Sequence, residues 1–297
     1  MRPPRVRWRD VEPYIFISPF MIGLVLFIVG PTFASLALSF TRFEFVAPPE
    51  FIGFENYDEM FAGDPKVWRS LWNTVYYMAG HIPLGMAMAF GVALMLNQKV
   101  WGQALFRTMY YLPSVTASVA TAIVWSWVFN SRFGLLNNFL GLFGLEGPQW
   151  LADTRFAMPA LIIISLWGMG STIVIFLAAL QGIPESLYES ASIDGAGRAR
   201  RLWHITIPMM TPAIFFVLII QIVGSFQVFT NAFIITAGGP GDATLFFVLH
   251  LYNKAFVALR LGYASALAWL LFVIVLVFTI AQVLMARRWV YYEGEIR

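Results

Sequence analysis

Long apolar stretches without a charged residue alternate with short charged segments along the chain. Six such stretches run over residues 13–41, 70–98, 108–131, 156–184, 202–241 and 261–286. Each exceeds the roughly 20 apolar residues that cross the hydrocarbon core of a bilayer as a helix. None shows the two-residue alternation of a membrane β-barrel. The pattern therefore predicts an all-α polytopic membrane protein, with six transmembrane helices near residues 14–40, 72–97, 108–130, 157–181, 208–236 and 261–286.

The composition agrees with this prediction. Hydrophobic residues make up 59% of the 297-residue chain and charged residues 12%, whereas a soluble domain carries roughly a quarter charged residues. We therefore expect a single transmembrane domain over residues 1–297. A shorter apolar run between Asp242 and Lys254 reaches only about half a span, which predicts an interfacial or re-entrant piece. The basic N-terminus is typical of a signal peptide, but the apolar stretch from Tyr14 to Phe40 is too long for one, so we expect a retained helix.

The distribution of lysine and arginine predicts the orientation. Six spans put both termini on one side of the membrane, and that side holds 12 of the 19 basic residues. Positive charge favours the cytoplasmic side, so both termini are expected there, in the inner membrane of a bacterial-type cell. Outer segments are then predicted near residues 42–69, 132–155 and 242–260. The basic residues predicted to be cytoplasmic are Arg2, Arg5, Arg7, Arg9, Lys99, Arg107, Arg198, Arg200, Arg201, Arg287, Arg288 and Arg297.

The predicted cytoplasmic segment 182–208 has the pattern of a helix-turn-helix. Pro184 suits the first turn of a helix, and Glu185 lies favourably near the positive end of the helix dipole. Gly195 permits a sharp turn of the backbone. A second short helix is expected after it and to end before Pro208. On these grounds alone, the segment is either an ordinary amphipathic connector or a surface for a cytoplasmic partner.

The fifth predicted span carries several amide and hydroxyl side chains. Gln221 and Ser225 are four residues apart, as are Gln227 and Asn231, so each pair shares a helix face. Gln221 and Gln227 lie about 120° apart around a helix and mark two edges of a broad polar face. Neutral polar groups suit a sugar, which offers many hydroxyls and no charge. The alternative is hydrogen bonding between helices.

Motifs for catalysis or ATP binding are absent from the sequence. There is no Gly-x-x-x-x-Gly-Lys-Ser/Thr phosphate loop, and the glycine-rich run 238–241 lacks its lysine. His81, His204 and His250 are isolated, and the chain has no cysteine. The cores of the predicted spans carry no charged residue, which argues against an ion-coupled carrier. Any nucleotide hydrolysis must therefore reside in another chain.

The segment 182–208 also carries a recognisable motif. Its run Glu189-Ser-Ala, three residues, Gly195, nine residues and Ile205-x-Ile-Pro208 resembles the EAA loop of binding-protein-dependent ABC permeases, with the same spacing throughout. The departures are a serine for the first alanine and an isoleucine for a leucine. The resemblance is to the carbohydrate-uptake branch of this family, of the maltose and glycerol 3-phosphate type, and it extends to the runs Phe51–Tyr57, Gly134–Asn137, Trp150–Leu151 and Gly238–Gly241.

This resemblance implies a permease subunit of an ATP-driven importer for a sugar or sugar-like solute. In that family the loop is a coupling helix that docks in a cleft of a cytoplasmic ATPase. The resemblance thus implies that this chain lies in the lipid bilayer beside a second homologous permease. It also implies two cytoplasmic ATPase subunits, which hold ATP and Mg²⁺, and an external solute-binding protein. It implies no cofactor, no catalysis and no nucleic-acid partner for this chain. A secondary ion-coupled solute carrier, a membrane enzyme and a non-transporting scaffold are the alternatives. The implied ATPase-coupling residues are Glu185, Tyr188, Glu189, Ala191, Asp194, Gly195, Ala196 and Pro208, and the expected solute-path residues are Gln221, Ser225, Gln227 and Asn231.

Overall fold

The computed structural model describes residues 8–44, 47–98 and 101–291, and most of them are helical. The chain divides into two compact units. The first contains the residues up to Asp64 together with Leu251–Leu270, and the second contains Pro65–His250 together with Leu271–Arg297. Some residues on which the predicted orientation depends lie outside the described ranges, namely Arg2, Arg5, Arg7, Lys99 and Arg297.

The first unit contains an apolar N-terminal helix, a small hairpin and short helical turns. Its first elements are α1 (Trp8–Leu24), a π-helical turn (Val25–Val29), α2 (Gly30–Ser39), β1 (Thr41–Arg42), β2 (Glu50–Phe51), α3 (Glu55–Asp58) and a π-helical turn (Glu59–Gly63). The two strands pair antiparallel. Asn56 ties α3 to the end of α2, because its Nδ2 donates to the backbone oxygens of Ser39 and Thr41 at 2.8 and 2.9 Å. The helix Glu12–Ser39 is long enough to span a membrane.

The second unit is a helical bundle around one long helix. Its elements are α4 (Pro65–Leu96), α5 (Gln103–Val115), α6 (Ser118–Val128), α7 (Leu135–Gly141), α8 (Ala157–Leu166), α9 (Gly170–Gln181), α10 (Glu185–Ile193), α11 (Arg198–Arg201), α12 (Ile207–Phe226), most of α13 (Phe247–Tyr252) and the later part of α14 (Leu261–Ala286). The central helix α4 packs against α8, α9 and α12, and α5 packs against α9. Buried apolar side chains form two clusters, one around Leu161 and Phe246 and one around Phe176 and Met210.

The apolar helices are those of a multi-pass membrane protein. Helices long and apolar enough to cross a membrane are Glu12–Ser39, Pro65–Leu96, Arg198–Phe226 and Leu261–Ala286. Two further pairs qualify if each pair is one broken span: α5 with α6, bent by 97°, and α8 with α9, bent by 48°. At the first bend Thr116 and Ala117 have extended backbone, with ψ of 142° and 125°. The described residues therefore contain four to six candidate spans.

The helix that follows the turn of the 182–208 segment runs into a span without a break. α11 continues through a π-helical turn (Leu202–Thr206) into α12, so Arg198–Phe226 is one helix. The expectation that the second short helix ends before Pro208 is therefore wrong. A proline lacks a backbone donor and crowds the carbonyl four residues earlier, and the wider turn just before Pro208 accommodates both effects.

The predicted fifth span 208–236 is interrupted, because α12 ends at Phe226 and helix resumes only at Thr230. The half-length apolar piece that was predicted after Asp242 contains the short helix α13. Its first residue, Phe247, is fully buried in the second unit. This burial shows packing against the protein and is compatible with both the re-entrant and the interfacial prediction.

Candidate solute cavity and helix-turn-helix segment

A polar cavity of about 270 Å³ lies in the second unit, lined by residues of α4, α8 and α12 and of the turns that follow α8 and α12. Its walls carry amide, hydroxyl, imidazole and phenol groups, and no Asp, Glu, Lys or Arg lines it. Such a cavity suits a ligand that forms hydrogen bonds and carries no charge. Its polar side chains are Tyr77, His81, Ser165, Gln221, Ser225 and Asn231.

His81 on α4 connects two other helices through its ring nitrogens. Its Nε2 lies 3.1 Å from Oε1 of Gln221 on α12, and its Nδ1 lies 2.7 Å from the hydroxyl of Ser165 on α8. Gln221 in turn donates from Nε2 to the hydroxyl of Thr172 on α9 at 3.0 Å. With the ring proton on Nε2, His81 donates to Gln221, and Nδ1 shares the hydroxyl hydrogen of Ser165 with the carbonyl of Ile162, which lies 2.6 Å from the same hydroxyl. Four helices are thereby joined by one chain of hydrogen bonds.

Two further groups complete the polar wall. The ring of Tyr77 stacks on the imidazole of His81, with 5.2 Å between centroids and 15° between planes. Ser225 is 2% exposed, and its hydroxyl has no hydrogen-bond partner among the described residues. A buried hydroxyl without a partner costs roughly 1–3 kcal/mol. Less than 1 Å² of the hydroxyl oxygen is accessible, so a ligand in the cavity can offset this cost only after the Ser225 side chain turns towards it.

The structure brings three of the four predicted solute-path residues together. Gln221, Ser225 and Asn231 line the cavity. Gln227 does not, and its side chain is exposed. It follows the last residue of α12, so the helix face that Gln227 and Asn231 were expected to share does not exist. The same helix end removes the expected 120° relation between Gln227 and Gln221.

Sequence reasoning missed the residues that face α12 across the cavity. Tyr77 and His81 belong to the second predicted span and Ser165 to the fourth. Each is a polar residue within a long apolar window, which is the signal that singled out Gln221 and Ser225. In the sequence His81 is an isolated histidine, and only the structure shows that it bonds to two other helices.

The segment 182–208 forms a helix-turn-helix. α10 begins after Pro184, whose ψ of 129° is extended. The turn after α10 contains Gly195 with a φ of +74°, and the N–H of Ala196 donates to the carbonyl of Ala191 at 2.8 Å. A left-handed residue just after a helix closes it with backbone bonds of this kind. The chain then enters α11.

Two side-chain hydrogen bonds hold α10 against the helix that follows it. The hydroxyl of Tyr188 lies 3.0 Å from the hydroxyl of Thr206, and Nη1 of Arg201 donates to the hydroxyl of Ser192 at 2.9 Å. Both bonds cross the glycine turn. They hold α10 and the start of the next helix together as one rigid unit.

The acidic side chains of this segment lack partners within the described part of the chain. Glu185, Glu189 and Asp194 are exposed, and none forms a salt bridge or a side-chain hydrogen bond there. Gly195 is exposed as well. The half-buried members of the predicted coupling set are Tyr188, Ala191, Ala196 and Pro208. The segment therefore presents uncompensated carboxylates on a braced pair of helices.

Two ion pairs in the first unit connect residues before α4 to residues around the start of α14. Arg260 forms a two-pronged pair with Glu59, with Nη1 at 2.6 Å from Oε1, and Nζ of Lys254 lies 2.9 Å from Asp64. Tyr263 also donates to Asp64 at 3.1 Å. The hydrogen bond from Arg260 lowers the pKa of Glu59 below its ordinary value, against the opposing effect of burial. The sequence predicted these charges on outer segments but not their pairing.

Comparisons with known proteins agree over nearly the whole chain. A family model described as "Binding-protein-dependent transport system inner membrane component" matches residues 81–291, which include the helix-turn-helix segment and α12. The probable ABC transporter permease protein YesP of Bacillus subtilis (strain 168) is 42% identical over 294 residues, covering 98% of this chain and 95% of that protein. The lactose transport system permease protein LacF of Rhizobium radiobacter is 34% identical, with 95% and 96% covered.

Solved structures show the same fold. A chain in the crystal structure of a bacterial ABC transporter involved in the import of the acidic polysaccharide alginate matches with a TM-score of 0.82 at 25% identity, covering 95% of this chain and 98% of that chain. The alginate transporter in complex with an alginate pentasaccharide-bound periplasmic protein matches with the same TM-score at 24% identity, which supports the fold alone.

Proposed function

We propose a role for each of the two sites from the premise that the chain belongs to the family of binding-protein-dependent transport system inner membrane components. It is a membrane-spanning permease subunit of an ABC importer for a sugar or sugar-like solute. The resemblance found in the sequence is thereby confirmed, and nothing supports the alternative of a secondary carrier. Lactose and arabinooligosaccharides, which are neutral sugars, appear in the names of related permeases, and the solute of this chain belongs to the same broad class.

The cavity of the second unit forms part of the solute path. The observation that carries this proposal is an uncharged polar cavity inside a membrane bundle that contains a buried hydroxyl without a partner, that of Ser225. Gln221 and Asn231 offer amide donors and acceptors to sugar hydroxyls. Tyr77 is 4% exposed and its ring is stacked on His81, so it supports the imidazole from behind rather than offering a free face to the solute. Solute hydroxyls replace the hydrogen bond between His81 and Gln221 with hydrogen bonds of similar strength. The free-energy change of binding is therefore small, and so is that of release.

The helix-turn-helix segment docks on a cytoplasmic ATPase. Glu189 supports this proposal, because it is exposed, lacks an internal partner and lies in the matched motif. We assign it a salt bridge to a basic residue of the ATPase. Gly195 allows the turn that sets α10 across the start of the next helix. ATP and Mg²⁺ belong to the ATPase, so this chain is not an enzyme and needs no cofactor.

The full assembly contains this chain, a second homologous permease, two ATPase subunits and an external solute-binding protein. Within it, each bent helix pair counts as one span, which gives six spans with both termini in the cytoplasm. The bias of basic residues supports this orientation. The side that carries segment 182–208 then faces the ATPases.

Reconstitution of the complete transporter in proteoliposomes tests both roles. The solute-loaded binding protein should stimulate ATP hydrolysis and uptake, while this chain purified alone should hydrolyse no ATP. Glu189→Lys should lower uptake strongly with normal membrane insertion, because losing one member of a desolvated interface pair costs roughly 2–5 kcal/mol. Glu146→Lys is the matched control, since Glu146 is another exposed glutamate without a partner in the described part of the chain.

Two results would contradict these assignments. Uptake driven by an ion gradient without the ATPases would favour the secondary carrier. Wild-type uptake by Glu189→Lys at normal expression would show that the segment is not the coupling element.

A further inference from the structure

A second cavity, of about 200 Å³, lies between α5 and α9 beside the end of α4. It shares no lining residue with the solute cavity. Its walls are mostly apolar and include Leu96, Ile173, Val174 and Leu177. One charged residue, Arg107 of α5, also lines it. The cavity thus combines an apolar wall with a single cation.

A glycine brings the two helices together beside this cavity. A Cβ on Gly170 would lie 2.5 Å from the backbone oxygen of Tyr110 and 3.0 Å from Cα of Tyr111. Only glycine allows the two backbones to approach this closely. Both tyrosines line the cavity next to this contact. The cavity is therefore framed by a fixed helix crossing.

Arg107 has no counter-ion within the described ranges 8–44, 47–98 and 101–291. Its Nε is buried without a hydrogen-bond partner, and no salt bridge joins its guanidinium to another residue of those ranges. Arg107 as a whole is half-buried, a guanidinium keeps its charge at every physiological pH, and its buried Nε is costly unless it is paired. The cavity is therefore complementary to an anion.

The polar part of the cavity lies at helix ends. Leu96 is the last residue of α4, Arg107 lies one turn into α5, and Gln181 is the last residue of α9. In the proposed orientation all three ends reach the cytoplasmic edge of the membrane. Phospholipid headgroups occupy this depth, and tyrosines are common there.

We propose that this cavity binds an anionic phospholipid of the inner leaflet by its phosphate group. Arg107 pairs with the phosphate through two parallel N–H···O bonds, and the amide of Gln181 and the hydroxyls of Tyr110 and Tyr111 are the nearby donors. The apolar wall takes the start of an acyl chain. Basic pockets between membrane helices on the cytoplasmic side bind anionic headgroups in this way. A soluble phosphate would leave the apolar wall unused, which selects the lipid.

The lipid connects to transport through Gln181, which directly precedes the segment 182–208. A headgroup held there stabilises the end of α9, from which the docking segment starts. This consequence rests on the proposed function and orientation. Lipid binding is measured without any transport. A failure of the lipid proposal is therefore distinguishable from a failure of the proposed transport function.

The test is a lipid titration of the delipidated, complete transporter in detergent. Phosphatidylglycerol, phosphatidylcholine and inorganic phosphate are added separately, the melting temperature is followed, and bound lipid is counted by native mass spectrometry. Arg107→Gln removes the cation. Arg288→Gln is the matched control, because Arg288 is an exposed arginine near the end of α14 on the same predicted side.

Phosphatidylglycerol should stabilise the wild type and Arg288→Gln equally, and its affinity for Arg107→Gln should fall by roughly tenfold or more. Inorganic phosphate should have no effect. Equal lipid affinity in Arg107→Gln and Arg288→Gln overturns the proposal, as does a wild type that does not respond to lipid. Stabilisation by phosphate alone overturns the lipid assignment in favour of a soluble anion. If Arg107→Gln does not fold, the lipid affinity of Arg107→Lys is measured instead. Lysine cannot form two parallel N–H···O bonds to a phosphate, so wild-type lipid affinity in Arg107→Lys would exclude that pair of bonds.

Discussion

The turn after α10 depends on the backbone of one residue. Gly195 has a φ of +74°, and a Cβ built on it would meet nothing within 4 Å. A side chain at this position therefore meets no steric clash, and the only cost of adding one is torsional strain in the backbone. β-Branched residues suffer this strain most, whereas asparagine tolerates the left-handed region comparatively well.

Gly195→Val is therefore expected to strain the turn by about 1–2 kcal/mol and to misalign α10 with the helix that follows. ATP hydrolysis should then become uncoupled from uptake in the reconstituted transporter, even where the subunits still assemble. Gly195→Asp should uncouple the two less than valine does, because aspartate visits the left-handed region more readily than a β-branched residue. Gly195→Asn should retain most of the coupling, and a loss equal to that of valine would mean that side-chain bulk rather than torsion matters at this position.

The pair formed by Glu59 and Arg260 is a second feature at the residue scale, since it joins two distant parts of the first unit. Because Arg260 lowers the pKa of Glu59 in the folded state, the pair stabilises the fold above the unfolded glutamate pKa, near 4.3. That stability is lost as the pH falls through the lowered value. About a third of each side chain is exposed, so solvent reduces the effect to about 1 kcal/mol.

Glu59→Gln should therefore lower the melting temperature in nanodiscs at pH 7, and the difference from the wild type should shrink as the pH falls below about 4. Glu55→Gln is the control, because Glu55 pairs with Arg42 while both side chains are more than half exposed. A difference for Glu59→Gln that stays constant down to pH 3 would exclude the ion pair as its cause.

At the scale of elements, the apolar windows predict where helices lie but not where they stop. The uncharged stretch continues through Thr116 and Ala117, so the charge-free window has no signal for the 97° bend between α5 and α6. In the same way, the apolar run after Phe226 conceals the end of α12. Pro208 gives the opposite error: it predicts a break, but a π-helical turn absorbs it. Backbone hydrogen bonding decides these local outcomes, and composition does not report it.

The end of α12 separates the four predicted solute-path residues into testable groups. Alanine at Gln221, Ser225 and Asn231 together should raise the KM for uptake, because these side chains line the cavity. Gln227→Ala should leave KM and kcat near wild type, since its exposed side chain lies outside the cavity. Equal effects of the triple variant and Gln227→Ala would remove the cavity from the solute path. His81→Ala should raise the KM for uptake as the triple variant does, because it removes the hydrogen bond between His81 and Gln221.

At the scale of the whole molecule, the sequence predicts the family and the helical membrane class, and it predicts one wall of the cavity. Gln221 and Ser225 were identifiable because they fall on one helix four residues apart. Tyr77, His81 and Ser165 come from two other predicted spans, and their meeting depends on how the helices pack. Such long-range contacts follow from tertiary packing, for which a one-dimensional pattern has no measure.

The absence of cysteine makes the proposed topology easy to measure. Single cysteines at Asp58 and Asn138 should react with an impermeant thiol reagent added outside the cell, and one at Arg200 should react only after permeabilisation. All three side chains are exposed. The adjacent Asn137 is less suitable, because it accepts a hydrogen bond from Trp150 at 2.6 Å. The reverse labelling pattern would overturn the orientation.

The uncharged lining of the solute cavity has an electrical consequence. A unit charge that crosses a membrane exchanges about 2.3 kcal/mol with each 100 mV of potential. A neutral solute in a cavity that no Asp, Glu, Lys or Arg lines exchanges none. Uptake at fixed ATP should therefore proceed at the same rate in proteoliposomes held at zero potential and at about −100 mV by a potassium gradient with valinomycin. A rate that follows the voltage would reveal charge moving with the solute. Voltage independence would mean that the cell draws the whole cost of accumulation from ATP, and that import continues when the membrane is depolarised.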